Sequence, residues 1–157
     1  AADEGITGIR SALELIRHRA VDVFTLYVSE AGGLSHARDI VRLADAADVQ
    51  CVLGTWAELG IATAAALPLA GSQRNFVMAC DTHYPLQADD VITRPHVFNG
   101  PYLPVPNGPG LGVELDLAKL DRYTRTEVRE TVFGDADDPQ WIPRIGMLQR
   151  LRPSGEG

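Results

Sequence analysis

The chain has 157 residues, 45% of them hydrophobic, and a formal net charge of −7, with a mean hydropathy of −0.04. That is the material of one ordinary globular domain. The acidic balance argues against nucleic acid or an anionic membrane as partner, since both reward clustered Lys and Arg, and no apolar run approaches the roughly 20 residues that cross a bilayer.

The first part of the chain repeats one unit. Ile9, Ala12, Leu13 and Ile16 fall at i, i+3, i+4 and i+7, which predicts an amphipathic helix over about residues 7–18. Residues 21–28 follow as an apolar, β-branched and aromatic run, a buried strand. Gly32 and Gly33 turn the chain, Ser35 is placed to cap, and Ala37, Ile40, Val41 and Ala44 form a second helical stripe. "VQCVLG" (49–54) reads as the next strand, and "GIATAAALPLA" (60–70) as a helix that Pro68 ends or bends. "NFVMACD" (75–81) reads as a further strand, and "AADEG" at residues 1–5 as the tail of another. Cys51 and Cys80 lie inside these strand-like runs and read as free thiols of a reducing cytosol; they are too few for a zinc site.

Strands separated by single helices imply parallel pairing with crossover helices, an α/β fold. No Gly-x-Gly-x-x-Gly follows any strand, which weighs against a dinucleotide or nucleotide-triphosphate site. Beyond residue 82 prolines, glycines and short apolar pairs predict irregular or hairpin structure, then a short helix over about 116–123. Trp141, Ile142, Ile145 and Leu148 are expected to pack, and the last five residues to be loose. Three and a fraction parallel strands would leave an unpaired edge. The expectation is therefore the C-terminal half of a (β/α) barrel of the TIM type, found with a complementary chain or a partner copy that covers that edge.

In such a barrel polar residues at the C-terminal ends of strands face the active site. Those ends hold Asp3 and Glu4, then Tyr27 to Glu30, then Thr55 to Glu58, then Asp81 to His83. Each alone is weak, because an acid after a strand is equally at home as a helix cap and a histidine there as a hydrogen-bonded loop residue. His18, His36 and His96 carry no functional reading.

The order of the pieces carries more. "ADEG" (2–5), "SALELIRHRAVDV", a strand, "AGGLSHARDIVRLADAADV" and "GTWAELGIATAAA" together resemble the C-terminal half of the barrel in the enolase superfamily, in its muconate-cycloisomerase-like (mandelate racemase/muconate lactonizing enzyme) branch. "LPVPNGPGLGVELDLAKLDRY" (103–123) is similar to that branch's closing stretch, which returns to the N-terminal capping domain. The resemblance covers residues 1–123 and implies three parts: barrel over 1–100, a segment packing on the capping domain over 101–123, and a C-terminal extension over 124–157.

The resemblance implies a metal-dependent lyase or isomerase of the cycloisomerase or dehydratase type. One magnesium or manganese ion, held by three carboxylates, would fix the carboxylate of a small substrate while a base removes the α-proton to give an enediolate. Asp3 falls at the third ligand, so the other ligands would lie outside this chain. In this branch a lysine precedes the Gly-Gly turn by five residues; here that position is Tyr27, and a basic residue often found three further on is Glu30. A tyrosine of ordinary pKa near 10 is a poor base at neutral pH but donates a proton or hydrogen bond. Three consequences stand open: one-base chemistry with Tyr27 as donor, an acid relocated to His83, or a non-catalytic relative that binds or supports. Glu58 matches an acid of the catalytic hydrogen-bond network, with a cap on the helix near Gly60 as the alternative. Trp56 replaces a slimmer residue and narrows the pocket; Asp81 matches a substrate-contacting aspartate, and His83 replaces its second acid. A soluble cytoplasmic homo-oligomer is the expected setting.

Overall fold

The computed structural model of the protein describes residues 1–124. Trp141, Ile142, Ile145 and Leu148, expected to pack, and the last five residues, expected to be loose, lie outside that range, and contacts divide the chain into two units, Ala1–Arg122 and Tyr123–Gly157. The first unit alternates helix and strand: α1 (Ile9–Arg17), β1 (Val23–Leu26), α2 (Leu34–Ala46), β2 (Gln50–Leu53) and α3 (Gly60–Gly71), then a single 3-10 turn at Tyr84–Leu86. A last helix, α4 (Leu117–Tyr123), runs over the division.

β1 and β2 pair in parallel with Val23 opposite Gln50 and Leu26 opposite Leu53. Partners in a parallel ladder point to the same face. Phe24, Leu26, Cys51 and Leu53 therefore share one face and are buried beneath Ala12, Ala37, Ile40, Val41, Ala44 and Leu69 of the helices. The alternate residues Val23, Thr25 and Val52 are only half-buried. Ala2 extends the sheet on the far side of β1, bridging Phe24 in parallel, with its N–H on the Val23 carbonyl at 2.9 Å and its own carbonyl taking the Thr25 N–H at 2.7 Å.

The expected strand over 75–81 is corrected by the structure. The segment runs beside β2 in the same direction, but only its ends bond. The Cys51 N–H reaches the Asn75 carbonyl at 2.9 Å and the Asp81 N–H the Leu53 carbonyl at 2.9 Å. Five residues, 76–80, thus oppose the single Val52 between those bonds, and the excess bows outward with Val77 61% and Met78 41% exposed. The Leu53 N–H is met instead by the Cys80 sulfur at 3.3 Å. Neither cysteine is in a disulfide, as expected, although Cys51 is buried and Cys80 exposed. Two smaller expectations also change. Ser35 lies inside α2, whose cap is Gly33, and Pro68 stays within α3, which continues to Gly71.

What fixes the start of α3 comes from thirty residues away. Asp90, 3% exposed, accepts the Gly60 N–H at 3.0 Å, the Val91 N–H at 2.7 Å and the Tyr84 hydroxyl at 2.5 Å. His96 closes the group: its backbone N–H donates to the Tyr84 hydroxyl at 3.1 Å and its Nε2 pairs with the Gly60 carbonyl at 2.8 Å. Gly60 has to be glycine, because a Cβ there would run into Asp90 and Ile92. In the 84–116 region Ile92 bridges Leu115 in antiparallel fashion, and Asp116 caps α4 through the Ala118 and Lys119 N–H groups at 3.1 Å each.

Asp90→Ala strands a buried N–H and a buried phenol at once, and should lower the unfolding free energy by roughly 3 kcal/mol, read as a shifted urea midpoint at unchanged slope. Burial and the bond to Asp90 push the Tyr84 hydroxyl up to about 12 from 10.0. A raised value in the folded state means a contribution complete below pH 10 and lost as pH climbs toward 12. Tyr84→Phe should therefore flatten that part of the alkaline loss of stability, measured as the difference between the two proteins.

Candidate functional site

Parallel strands deliver all their C-terminal ends to one edge. Asp3 follows the Ala2 bridge, Tyr27 and Glu30 follow β1, Gly54 to Glu58 follow β2, and Asp81 and His83 follow the bowed segment.

Tyr27 lies across the end of β2. A Cβ at Gly54 would stand 2.5 Å from its Cζ and 2.8 Å from its Cε2, so only glycine lets the ring rest there. Asp3 sits at its hydroxyl, as acceptor and as charge, with Glu30 and Glu4 adding to the field. Burial first, then these carboxylates, hold the Tyr27 hydroxyl protonated far above the usual tyrosine range. The Asp3 Oδ1 is buried with no hydrogen-bond partner.

Glu30 belongs to the turn after β1, closed by the Ala31 N–H on the Tyr27 carbonyl at 3.0 Å and the Gly33 N–H on the Val28 carbonyl at 2.9 Å. Its Oε1 accepts the Trp56 indole N–H at 2.8 Å. The Trp56 ring in turn lies 6.0 Å from that of Tyr27, centroid to centroid, at 38°. Burial raises the Glu30 carboxyl above the ordinary glutamate value; the Trp56 bond opposes this, and Glu4, Asp3 and Glu58 reinforce it. Trp56 itself is 45% exposed, a lip rather than a core residue.

Glu58 is half-buried, and its Oε2 has no hydrogen-bond partner. The alternative reading of Glu58 as the cap of α3 is overturned: Asp90 takes the first helical N–H. Glu58 lines a cavity of about 150 Å³ with Val28, Gly33, Thr55, Ala62 and Ala66, large enough for a few waters. Beside it, Thr55 receives the His83 backbone N–H on its hydroxyl at 2.9 Å and meets His83 Nδ1 at 3.1 Å. Asp81 stands 3.9 Å from the same ring nitrogen.

The structure therefore brings Asp3, Tyr27 and Trp56 together with Glu30, and sets His83 between Thr55, to which it is hydrogen-bonded, and Asp81. Glu58 acts on Glu30 through its charge. Asp90, Tyr84 and His96, which hold the helix after this site, were missed by the sequence reading. No local pattern marks a carboxylate that caps a helix thirty residues earlier. Among the described residues no group of three or more His, Cys, Asp or Glu is arranged to hold a metal ion. Asp3, a hard oxygen donor with one buried unpartnered oxygen, fits as a single ligand to a divalent cation and no more.

Residues 1–119 match the family described as enolase C-terminal domain-like. Among curated relatives, "Muconate cycloisomerase 1-1" of Acinetobacter lwoffii is 36% identical over 125 residues, covering 79% of this chain and 33% of its own. "Chloromuconate cycloisomerase" of Pseudomonas putida is 33% identical over 125 residues, covering 79% and 34%. The crystal structure of 2-chloromuconate cycloisomerase from Rhodococcus opacus 1CP superposes with a TM-score of 0.75 at 33% identity, over 79% of this chain and 35% of that one. The chain thus spans about a third of the length of the relatives it matches. With the family matched over 119 of 157 residues, this chain belongs to the enolase superfamily, as an enolase C-terminal domain-like member with muconate cycloisomerases among its relatives.

Proposed function

We propose that the protein contributes one side of the active site of a metal-dependent lyase or isomerase that removes the α-proton of a small carboxylate by way of an enediolate. The observation that carries this reading is the buried, unpartnered oxygen of Asp3 at a strand end, directly beside the Tyr27 hydroxyl. The match to muconate cycloisomerases along residues 1–119 supports the reaction class. Residues 1–100 form the C-terminal part of a (β/α) barrel, 101–123 pack on a capping domain, and 124–157 are an extension. The remaining strands and ligands lie outside residues 1–157, and the setting is a cytoplasmic homo-oligomer. The half-exposed sheet face of Val23, Thr25 and Val52 supports this. Among the described residues no helix is long and apolar enough to cross a membrane.

Asp3 holds the ion, magnesium or manganese, as one of its carboxylate ligands. When bound, such an ion offsets the negative charge that grows on the substrate carboxylate as the α-proton leaves. Tyr27, locked protonated, is no base. It donates a hydrogen bond to the substrate or returns a proton on its own face, while the abstracting base stands outside these residues. Trp56 walls the pocket, Glu58 and Asp81 line it, and His83, poised by Thr55, is the second candidate acid. One observation favours a binding or structural relative instead: the end of β1 presents the Tyr27 phenol, packed over Gly54, where the resemblance places a lysine.

The two readings separate by exchange of substrate α-protons with deuterated solvent across a panel of small carboxylates, using the protein in the assembly it forms. The catalytic reading expects magnesium-dependent exchange, reduced about 100-fold or more in Asp3→Ala and on the order of 100-fold in Tyr27→Phe. Absence of exchange across the panel leaves the binder. Gly54→Ala, whose new methyl collides with Tyr27, should cost activity comparable to Tyr27→Phe while the fold persists, checked by circular dichroism.

A further inference from the structure

Glu30 and Trp56 come from different turns yet are bound at 2.8 Å, and the indole leans on Tyr27, which rests on Gly54. The two turns therefore present one wall of three side chains, each fixed by a neighbour. A surface carboxylate normally swings into water when a second negative charge approaches. Glu30 is half-buried and held by one oxygen, so it stays. The charged groups acting on it, Glu4, Asp3 and Glu58, are all negative. Those acting on Tyr27, namely Asp3, Glu30 and Glu4, are negative too.

Resting on the carboxylate-and-cation reading above, we infer that Glu30, pinned by Trp56, restricts this site to monocarboxylates and excludes a substrate whose second carboxylate would lie along the Tyr27 ring. The cation at Asp3 accommodates one substrate carboxylate. A second, reaching from Tyr27 toward Trp56, meets a fixed like charge with no counter-ion supplied by the wall.

A matched pair of probes isolates that one charge: cis,cis-muconate, a dicarboxylate, and its monomethyl ester, of nearly the same shape. Both are titrated calorimetrically in the presence of magnesium against the protein in the assembly it forms. The ester should bind at least about tenfold tighter than the diacid. Glu30→Gln, which keeps an acceptor for the indole, should bring the ratio within about threefold. Trp56→Phe, which keeps a ring but frees Glu30, should give an intermediate ratio. Diacid binding as tight as ester binding in the unmodified protein overturns the inference, as does a ratio unmoved by Glu30→Gln. Binding of neither probe while magnesium is still taken up in an Asp3-dependent manner overturns the inference alone; loss of that magnesium uptake as well overturns the reading on which it rests.

Discussion

Parallel pairing is the constraint on which the rest of the structure depends. A strand that pairs in parallel with its predecessor has to return through a crossover, here a helix, before it can start again at the same edge. Each strand then releases its last residues at the opposite, common edge. The Ala2 bridge, β1 and β2 obey this in turn, which is why residues as distant in sequence as Asp3, Tyr27 and Trp56 act on one another. The fixed register also sorts the side chains by face. Phe24, Leu26, Cys51 and Leu53 build the buried layer beneath the helices, while Val23, Thr25 and Val52 turn the other way. Core and site are thus two consequences of one alternation.

Position at the edge is set by smaller devices. Gly54 is a void in the sheet surface that Tyr27 fills, and the ring so placed meets Asp3 at its hydroxyl and Trp56 at its flank. Asp90 fixes where α3 begins, and with it the short segment from Gly54 to Leu59 that carries Trp56 and Glu58. Of these two devices the second is the stiffer. A carboxylate buried among three donors is strongly disfavoured from moving, whereas the indole at the lip is held by one hydrogen bond and one ring contact. Rigidity is therefore greatest behind the site, while at its mouth the Glu30–Trp56 bond and the Trp56–Tyr27 contact hold the wall.

The alternation of helix and strand was legible because it rests on local pattern: 3.6-residue stripes in α1 and α2, and short apolar runs bounded by turn residues in β1 and β2. The strand-end residues followed from that, since a parallel order dictates which end matters. What escaped depends on partners remote in sequence. Residues 75–81 have strand composition, but Val77 and Met78 lie in the outward bow, where β2 offers one residue against five. Pro68 has no N–H to lose at its own position, and the surrounding turns of α3 carry the helix past it. The cap reading of Glu58 was nearly as good in the sequence as the functional one, and Asp90, thirty residues downstream, removed it by taking the Gly60 N–H.

The chemistry of the edge is unbalanced in a way that bears on how this chain works. Asp3, Glu4, Glu30 and Glu58 converge on it, and the charges acting on Tyr27 and Glu30 are all negative. Burial first, and then these neighbouring carboxylates, keep Tyr27 protonated and raise Glu30 above its ordinary range. A constellation of this kind is tolerated when positive charge arrives from elsewhere, as a divalent cation or as cationic side chains across the cleft. In the proposed reaction both are required: the cation meets Asp3, and the base that takes the α-proton faces Tyr27 from the other side. The phenol suits such a division, because a hydroxyl kept protonated at neutral pH adds no further anion to the edge. A lysine at the same place would have neutralised the edge by itself and drawn anions along its whole length. With Tyr27 there, the cation proposed at Asp3 would be the positive charge on this wall, and its place would set the orientation of a bound anion.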